Sequence, residues 1–171
     1  MILPKIRDPR LITIRCGGSL TDENHHLLAI WAAICAEHVL HYFESECPKD
    51  DRPRRAIDLA SKWANREIKL NDAKRGAWES NNAARPLSGA ARFAAYSAAQ
   101  AAVVGHVAAH ELGAAAYAIR AVMAASDNLE KIDNGKKECD WQKEQLPIEI
   151  RNLVIDDEKN RNAICWNVFN L

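Results

Sequence analysis

Apolar residues recur at three- and four-residue spacing along most of this chain, the period of a helix with one buried face. The first such stretch follows "IRCGG". Thr21 is placed to cap it, and Asp22 and Glu23 fall in the first turn, where the helix dipole favours acids. Leu27, Trp31, Ile34, His38 and Tyr42 form the predicted inner stripe of a helix running to about Phe43, flanked by Leu28, Cys35 and Val39. "CPKDDRP" interrupts the pattern. Asp51 is the next predicted cap, with Pro53 near the helix start, where a missing N–H costs nothing. Ile57, Ala60, Ala64 and Ile68 are the expected inner positions, and "LNDAKRGAWES" reads as a third helix or a kinked continuation.

Ser88 opens the next segment. From Ala83 to Ala125, 19 of 43 residues are alanine, the best helix former and one that lets helix axes approach closely. A single helix from Ser88 to Ala125 would span roughly 57 Å, too long for a domain of this size. A break is therefore expected between Gly105 and Glu111, with a close-packed helix pair around it. Residues 126–137 read as a polar loop, and the remainder as two or three short helices, one opened by Pro147. "LITIR" alone alternates like a strand, and one short strand cannot build a sheet. The expectation is a single all-α domain over residues 1–171, a bundle of six to eight helices preceded by an extended segment at 1–20.

Composition narrows the function classes. Lys+Arg and Asp+Glu both number 23, so no net charge draws the chain toward nucleic acid or a membrane surface. Five cysteines, with no CxxC pair, suit a reducing cytosol, and Cys35 and Cys165 read as small buried hydrophobes. "MILPKIRDPR" lacks the apolar core of an export signal. Phe93 to His110 carries no formal charge, but its alanines and its Gln100, His106 and His110 suit a buried helix pair better than lipid. A cytoplasmic protein without a cofactor is expected. Alanine-lined helices can bury against a second subunit as readily as within one, which leaves a homo-oligomer open.

The most conspicuous candidate chemistry is "HVAAHE". His106 and His110 share a helix face and could chelate a metal with His38 as a third ligand. The metalloprotease order H-E-x-x-H is absent, because Glu111 follows the second histidine. The expected role is structural: the rings hydrogen-bond at the helix junction, and Glu111 starts the next helix. A metal-binding or hydrolase-type protein built on His38, His106 and His110 is the alternative. Cys35, His38 and His41 cannot all face one ion, because positions 35 and 41 lie about 240° apart around a helix.

"DDRPRRAIDLASKWANREIKLNDAKR" is rich in cations, but its interleaved acids suggest a solvated, charge-paired face with pairs such as Asp58–Lys62. Arg66, Glu67 and Asp72, if partly buried, would have to pair with each other. The five tryptophans fall in helical patterns and are read as core. Trp141, within "ECDWQKEQ", is expected to be the most exposed, and an aromatic rimmed by charge is a candidate contact anchor for a partner.

"DRPRRAID", "GHVAAHELGAAAYAIRAV" and "LVIDDEKNRNAICWNVF", with the opening "LPKIRDPRLITIRCGGSLTDENHHLLAIWAA", resemble a family of predicted bacterial immunity proteins of polymorphic toxin systems. Some members carry an exonuclease-subunit label, yet the chain shows no nuclease carboxylate cluster or ATP-binding loop. The resemblance implies a non-enzymatic protein that binds a cognate toxin, and it carries over no catalytic residues.

Overall fold

Thr21 caps the first long helix as its position predicts, its hydroxyl accepting from the Asn24 N–H at 3.2 Å. The computed structural model describes residues 3–171. Its helices are α1 (Asp22–Glu46), α2 (Arg52–Ala64), α3 (Leu70–Ala84), α4 (Gly89–Ala102), α5 (Glu111–Ala125), α6 (Lys131–Glu144) and α7 (Ile148–Arg161). The structure is 73% helical, and no strand forms among the described residues. Thr13 and Leu20 share one isolated parallel bridge, which is all that remains of the strand-like "LITIR".

α1 is the central helix, packed by α2, α4 and α5 and touched by α7. That many neighbours bury more than one stripe. Leu28, Trp31, Cys35, Val39 and Phe43 are fully buried, whereas Ile34 and His38 reach the surface. The inner stripe expected from spacing is thus rotated toward its flanking residues. Trp31, Phe43, Leu112, Ile119 and Ile150 are among the largest fully buried side chains. By length and composition α1 could cross a membrane, yet 56% of its apolar window is buried by the other helices.

The alanine-rich stretch divides as its length requires. α4 stops at Ala102, the chain turns, and a 3-10 turn over Ala108–His110 leads into α5 at Glu111. Gly105 permits the turn by close approach, because a Cβ there would stand 2.6 Å from the Trp63 ring. The small side chains of α4 and α5 are spent within this chain. Ala98, Ala101, Ala102, Ala114, Ala115 and Ala118 are all buried. Their close packing brings Ser80 and Ser97 within 2.8 Å of the carbonyls of Ala95 and Ala114, so that buried hydroxyls tie α3 to α4 and α4 to α5. Ala115→Leu or Ala102→Leu should therefore lower stability by about 1–3 kcal/mol through overpacking, measured by chemical denaturation. Unchanged stability would mean the two positions have room that this packing denies.

Three expectations change. The polar loop at 126–137 is shorter, since α6 begins at Lys131. Gly135 is a helical position whose missing Cβ admits Met123 and Leu171 at 2.7 and 2.8 Å. α3 is not a continuation of α2: Arg66 adopts φ 65° between them and leaves Ile68 outside either helix. The N-terminal segment is not simply extended. It folds into 3-10 turns at Pro9–Leu11 and Ile14–Cys16, with Leu11 and Leu20 buried. Arg10 bridges Asp8 to Asp156 of α7 and fastens the segment to the bundle.

Candidate partner-binding face

The histidine cluster does not assemble. His38 of α1 donates from Nδ1 to Glu138 Oε2 of α6 at 2.9 Å. His110 instead lies at the helix junction, its Nδ1 donating to Gln100 Oε1 at 2.7 Å. His106 is exposed beside it. Among the described residues, no group of three or more His, Cys, Asp or Glu side chains is arranged to hold a metal ion. His110 is mostly buried, and desolvation, followed by the charges of His106 and Arg161, pulls its pKa down to about 4. Its ring is neutral at pH 7 and serves the junction.

Glu111 opens α5, as expected. It is fully buried and faces Asp157 and Arg161 of α7, so the junction has a carboxyl neighbour that its own sequence surroundings do not show. The arginines of the basic stretch are paired, several of them across helices, whereas the expected Asp58–Lys62 pair is not among the ion pairs of the described residues. Arg54 of α2 meets Glu37 and Glu44 of α1 at 3.1 and 2.5 Å, and Arg55 meets Glu79 of α3 at 2.5 Å. Arg66 and Glu67 are exposed rather than buried. Arg66 lies 3.7 Å from Glu23, and Asp72 pairs with Arg75 at 3.4 Å.

What does assemble is a face built on His38 and Trp141. The two rings stack with centroids 3.6 Å apart and planes 17° from parallel. The stack is held from behind. Glu138, one turn before Trp141, is buried, and its second oxygen accepts from Gln142 Nε2 at 2.8 Å. Gln142 also donates to the Ala115 carbonyl, and the Trp31 indole N–H donates to the Gln142 carbonyl at 2.9 Å. This network sews α6 to α1 and α5 and backs the His38 ring against which Trp141 stacks. A groove of about 500 Å³ opens on one side of the stack, walled by Ile30, Ile34 and Ile57 and rimmed by the Glu37–Arg54 pair. A second, of about 440 Å³, lies on the other side against Tyr42, Val122 and Asn134. A stacked, half-buried tryptophan between two recesses is the geometry of a contact anchor: apolar walls, a charged rim, little side-chain entropy left to lose.

Trp141, singled out in the sequence, lies at the centre of this face, but it is not the most exposed tryptophan. Trp78 and Trp166 are more open, at 65% and 42%. The role of Ile30, Ile34 and Ile57 was missed, because spacing alone assigns such residues to the core. Glu138 and Trp141 at i and i+3 were the available signal that one α6 face carries both a carboxylate and a ring.

A face of this kind has the composition of a protein contact surface. Residues 18–149, most of the chain and every residue of the His38–Trp141 face, match the model of one protein family. No curated protein and no solved structure matches the chain. By that match, the chain belongs to the Imm-5 like putative immunity protein family.

Proposed function

We propose that this protein neutralises a cognate toxin in the cytoplasm by binding and occluding it, and that the toxin docks on the His38–Trp141 face. The observation that carries the reading is the stacked Trp141 ring between two recesses in a member of an immunity-protein family. The action is stoichiometric binding and needs no catalytic group.

The test starts from the neighbouring gene, which should encode the cognate toxin domain. Titrating the protein into a toxin-activity assay should reach full inhibition at equal molar amounts. Complete silencing by far less than an equal amount would instead mean that the protein is an enzyme acting on the toxin. Calorimetry with an inactivated toxin should show Trp141→Ala weakening binding by about tenfold or more, the loss expected of an aromatic hot spot. Toxin binding that is indifferent to Trp141→Ala would move the contact to another face, and absence of binding by the wild type would end the occlusion reading.

A further inference from the structure

On another side of α5 lies a cluster that the His38–Trp141 face does not use. Arg120 and Val122 are two residues apart, hence about 200° apart around the helix, and Val122 lines the second groove. Arg120 points instead into a group of rings. Its guanidinium carbon sits 4.1 Å from the Phe93 ring centroid on one side and 4.0 Å from that of Trp166 on the other. Tyr117, one turn earlier on α5, lies 5.0 Å from Trp166 and 5.2 Å from Tyr96. Arg92 of α4 stands over Tyr96 at 5.4 Å and donates to its hydroxyl at 3.3 Å.

Two rings at about 4 Å from one guanidinium carbon put the cation in cation–π contact with both. Those contacts use none of its N–H donors. Among the described residues Arg120 pairs with no carboxylate and donates no hydrogen bond. Most other arginines of the chain are paired, including all three of "RPRR". Burial lowers the Arg120 pKa, Tyr117 opposes that and Arg92 adds to it; no acid is among these neighbours.

The backbone spends strain to complete the cluster. Trp166 and Asn167 are consecutive non-glycine residues with φ 59° and 58°, a conformation that disfavours L side chains. The Asn167 N–H to the Asn162 carbonyl at 2.8 Å, and the Phe169 N–H to the Asn162 side chain at 3.1 Å, hold that turn. Its product is an exposed Trp166 closed over Arg120.

We infer that the Arg120 cluster is a second docking surface, in which the guanidinium edge receives a carboxylate from an acidic segment of a partner protein while Trp166, Phe93 and Tyr117 form the apolar surround. Charge complementarity selects that occupant: two arginines and four aromatic rings, with no acid among them, in a chain whose net charge is zero. Arginine, tyrosine and tryptophan together are the composition of protein interface anchors. A polyanion such as nucleic acid gains its affinity from many cations along a track, and here one fork stands in an apolar setting.

The experiment titrates the full-length protein with a short glutamate- and aspartate-rich peptide, with its glutamine and asparagine counterpart, and with inorganic phosphate. It follows the Arg120 Nε–H and Trp166 indole N–H signals by NMR. The acidic peptide should move both signals, and its amide counterpart should not. Arg120→Gln should weaken binding by about tenfold or more, as for truncating one side of a desolvated charge pair. Arg120→Lys, which keeps the charge and most of the packing, should fail to restore it, because the planar fork is lost. Unchanged affinity in Arg120→Lys, equal shifts with the amide peptide, or no shift with the acidic one would each overturn the proposal. Tighter binding of phosphate than of the acidic peptide would also overturn it, in favour of a phosphate-bearing ligand.

Discussion

Arg161→Met should destabilise the protein by about 3–5 kcal/mol, the cost of stripping the partner from a buried charge. Arg161 is 4% exposed at the end of α7. Its Nε donates to Asp157 Oδ1 at 2.7 Å and its Nη2 to the other Asp157 oxygen. Nη2 also reaches Glu111 Oε1 at 3.0 Å, and Nη1 reaches the Ala109 carbonyl at 2.8 Å. One side chain thereby closes the last turn of α7, the first residue of α5 and the 3-10 turn before it. Burial drives the Glu111 carboxyl well above its ordinary pKa; Arg161 opposes that rise and the neighbouring Asp157 adds to it. Its Oε2 is buried without a hydrogen bond among the described residues, which leaves Glu111 less fully satisfied than Asp157, both of whose oxygens accept from Arg161. Methionine fills the space of the arginine stem but leaves the buried Asp157 carboxyl and the Ala109 carbonyl without their donor. Glu111→Gln keeps the size of the side chain and an oxygen that can accept from Arg161, and it removes a carboxyl whose charged form burial disfavours, so it should cost within about 1 kcal/mol. The sign follows from Glu111. Burial raises its pKa and Arg161 opposes the rise, so without Arg161 the shift grows, and the variant's stability is lost as pH rises and recovers as pH falls. Urea denaturation of both variants at pH 7 and pH 5 checks this. Equal losses in the two would mean that the Arg161 contacts to Asp157 and Ala109 add nothing beyond its contact to Glu111.

Helix existence was legible in the sequence because alternatives were physically closed. Thr21 has a hydroxyl where a cap needs one, and the alanine-rich stretch was too long to remain one helix, so its break fell where α4 ends and α5 begins. Burial was less legible. Spacing locates an inner face only for a helix with one packed side, and α1 is packed by several helices. α6 was misread because lysines and aspartates dominate its N-terminal half. Its buried positions, Gly135, Glu138, Cys139 and Gln142, include only one apolar side chain larger than a methyl. The same holds for the two surfaces. Trp141 could be singled out because charge surrounds it in sequence. Arg120, Phe93 and Trp166 come from three separate segments, and only the fold brings them together. The Glu111–Asp157–Arg161 cluster, likewise, joins the middle of the chain to its end.

His110→Gln should reverse its effect with pH. At pH 7 the neutral imidazole donates to Gln100 Oε1 at 2.7 Å, and the variant should be less stable by about 0.5–1.5 kcal/mol, the worth of one such hydrogen bond. Acid changes the balance. The folded-state pKa of about 4 lies below the ordinary 6.5, so the unfolded chain takes up a proton first. The stability contributed by the neutral ring is complete above pH 6.5 and is lost as pH falls toward 4, up to about 3 kcal/mol for a shift of that size. Glutamine does not titrate and loses nothing there. The buried carboxyls of Glu111 and Glu158 have raised pKa values and act in the opposite direction, favouring the folded state in acid. They are present in both proteins and cancel in the difference. His25 is mostly buried, its pKa lowered chiefly by burial, and it cancels in the same way. The expected result is a crossover: the wild type is more stable at pH 7, the two are equal between pH 6 and 5, and the variant is more stable near pH 4, as measured by denaturant midpoints across that range. Parallel curves with no crossover would mean that the His110 ring keeps enough water at the junction to accept a proton freely, and that the turn between α4 and α5 is open where the structure has it closed.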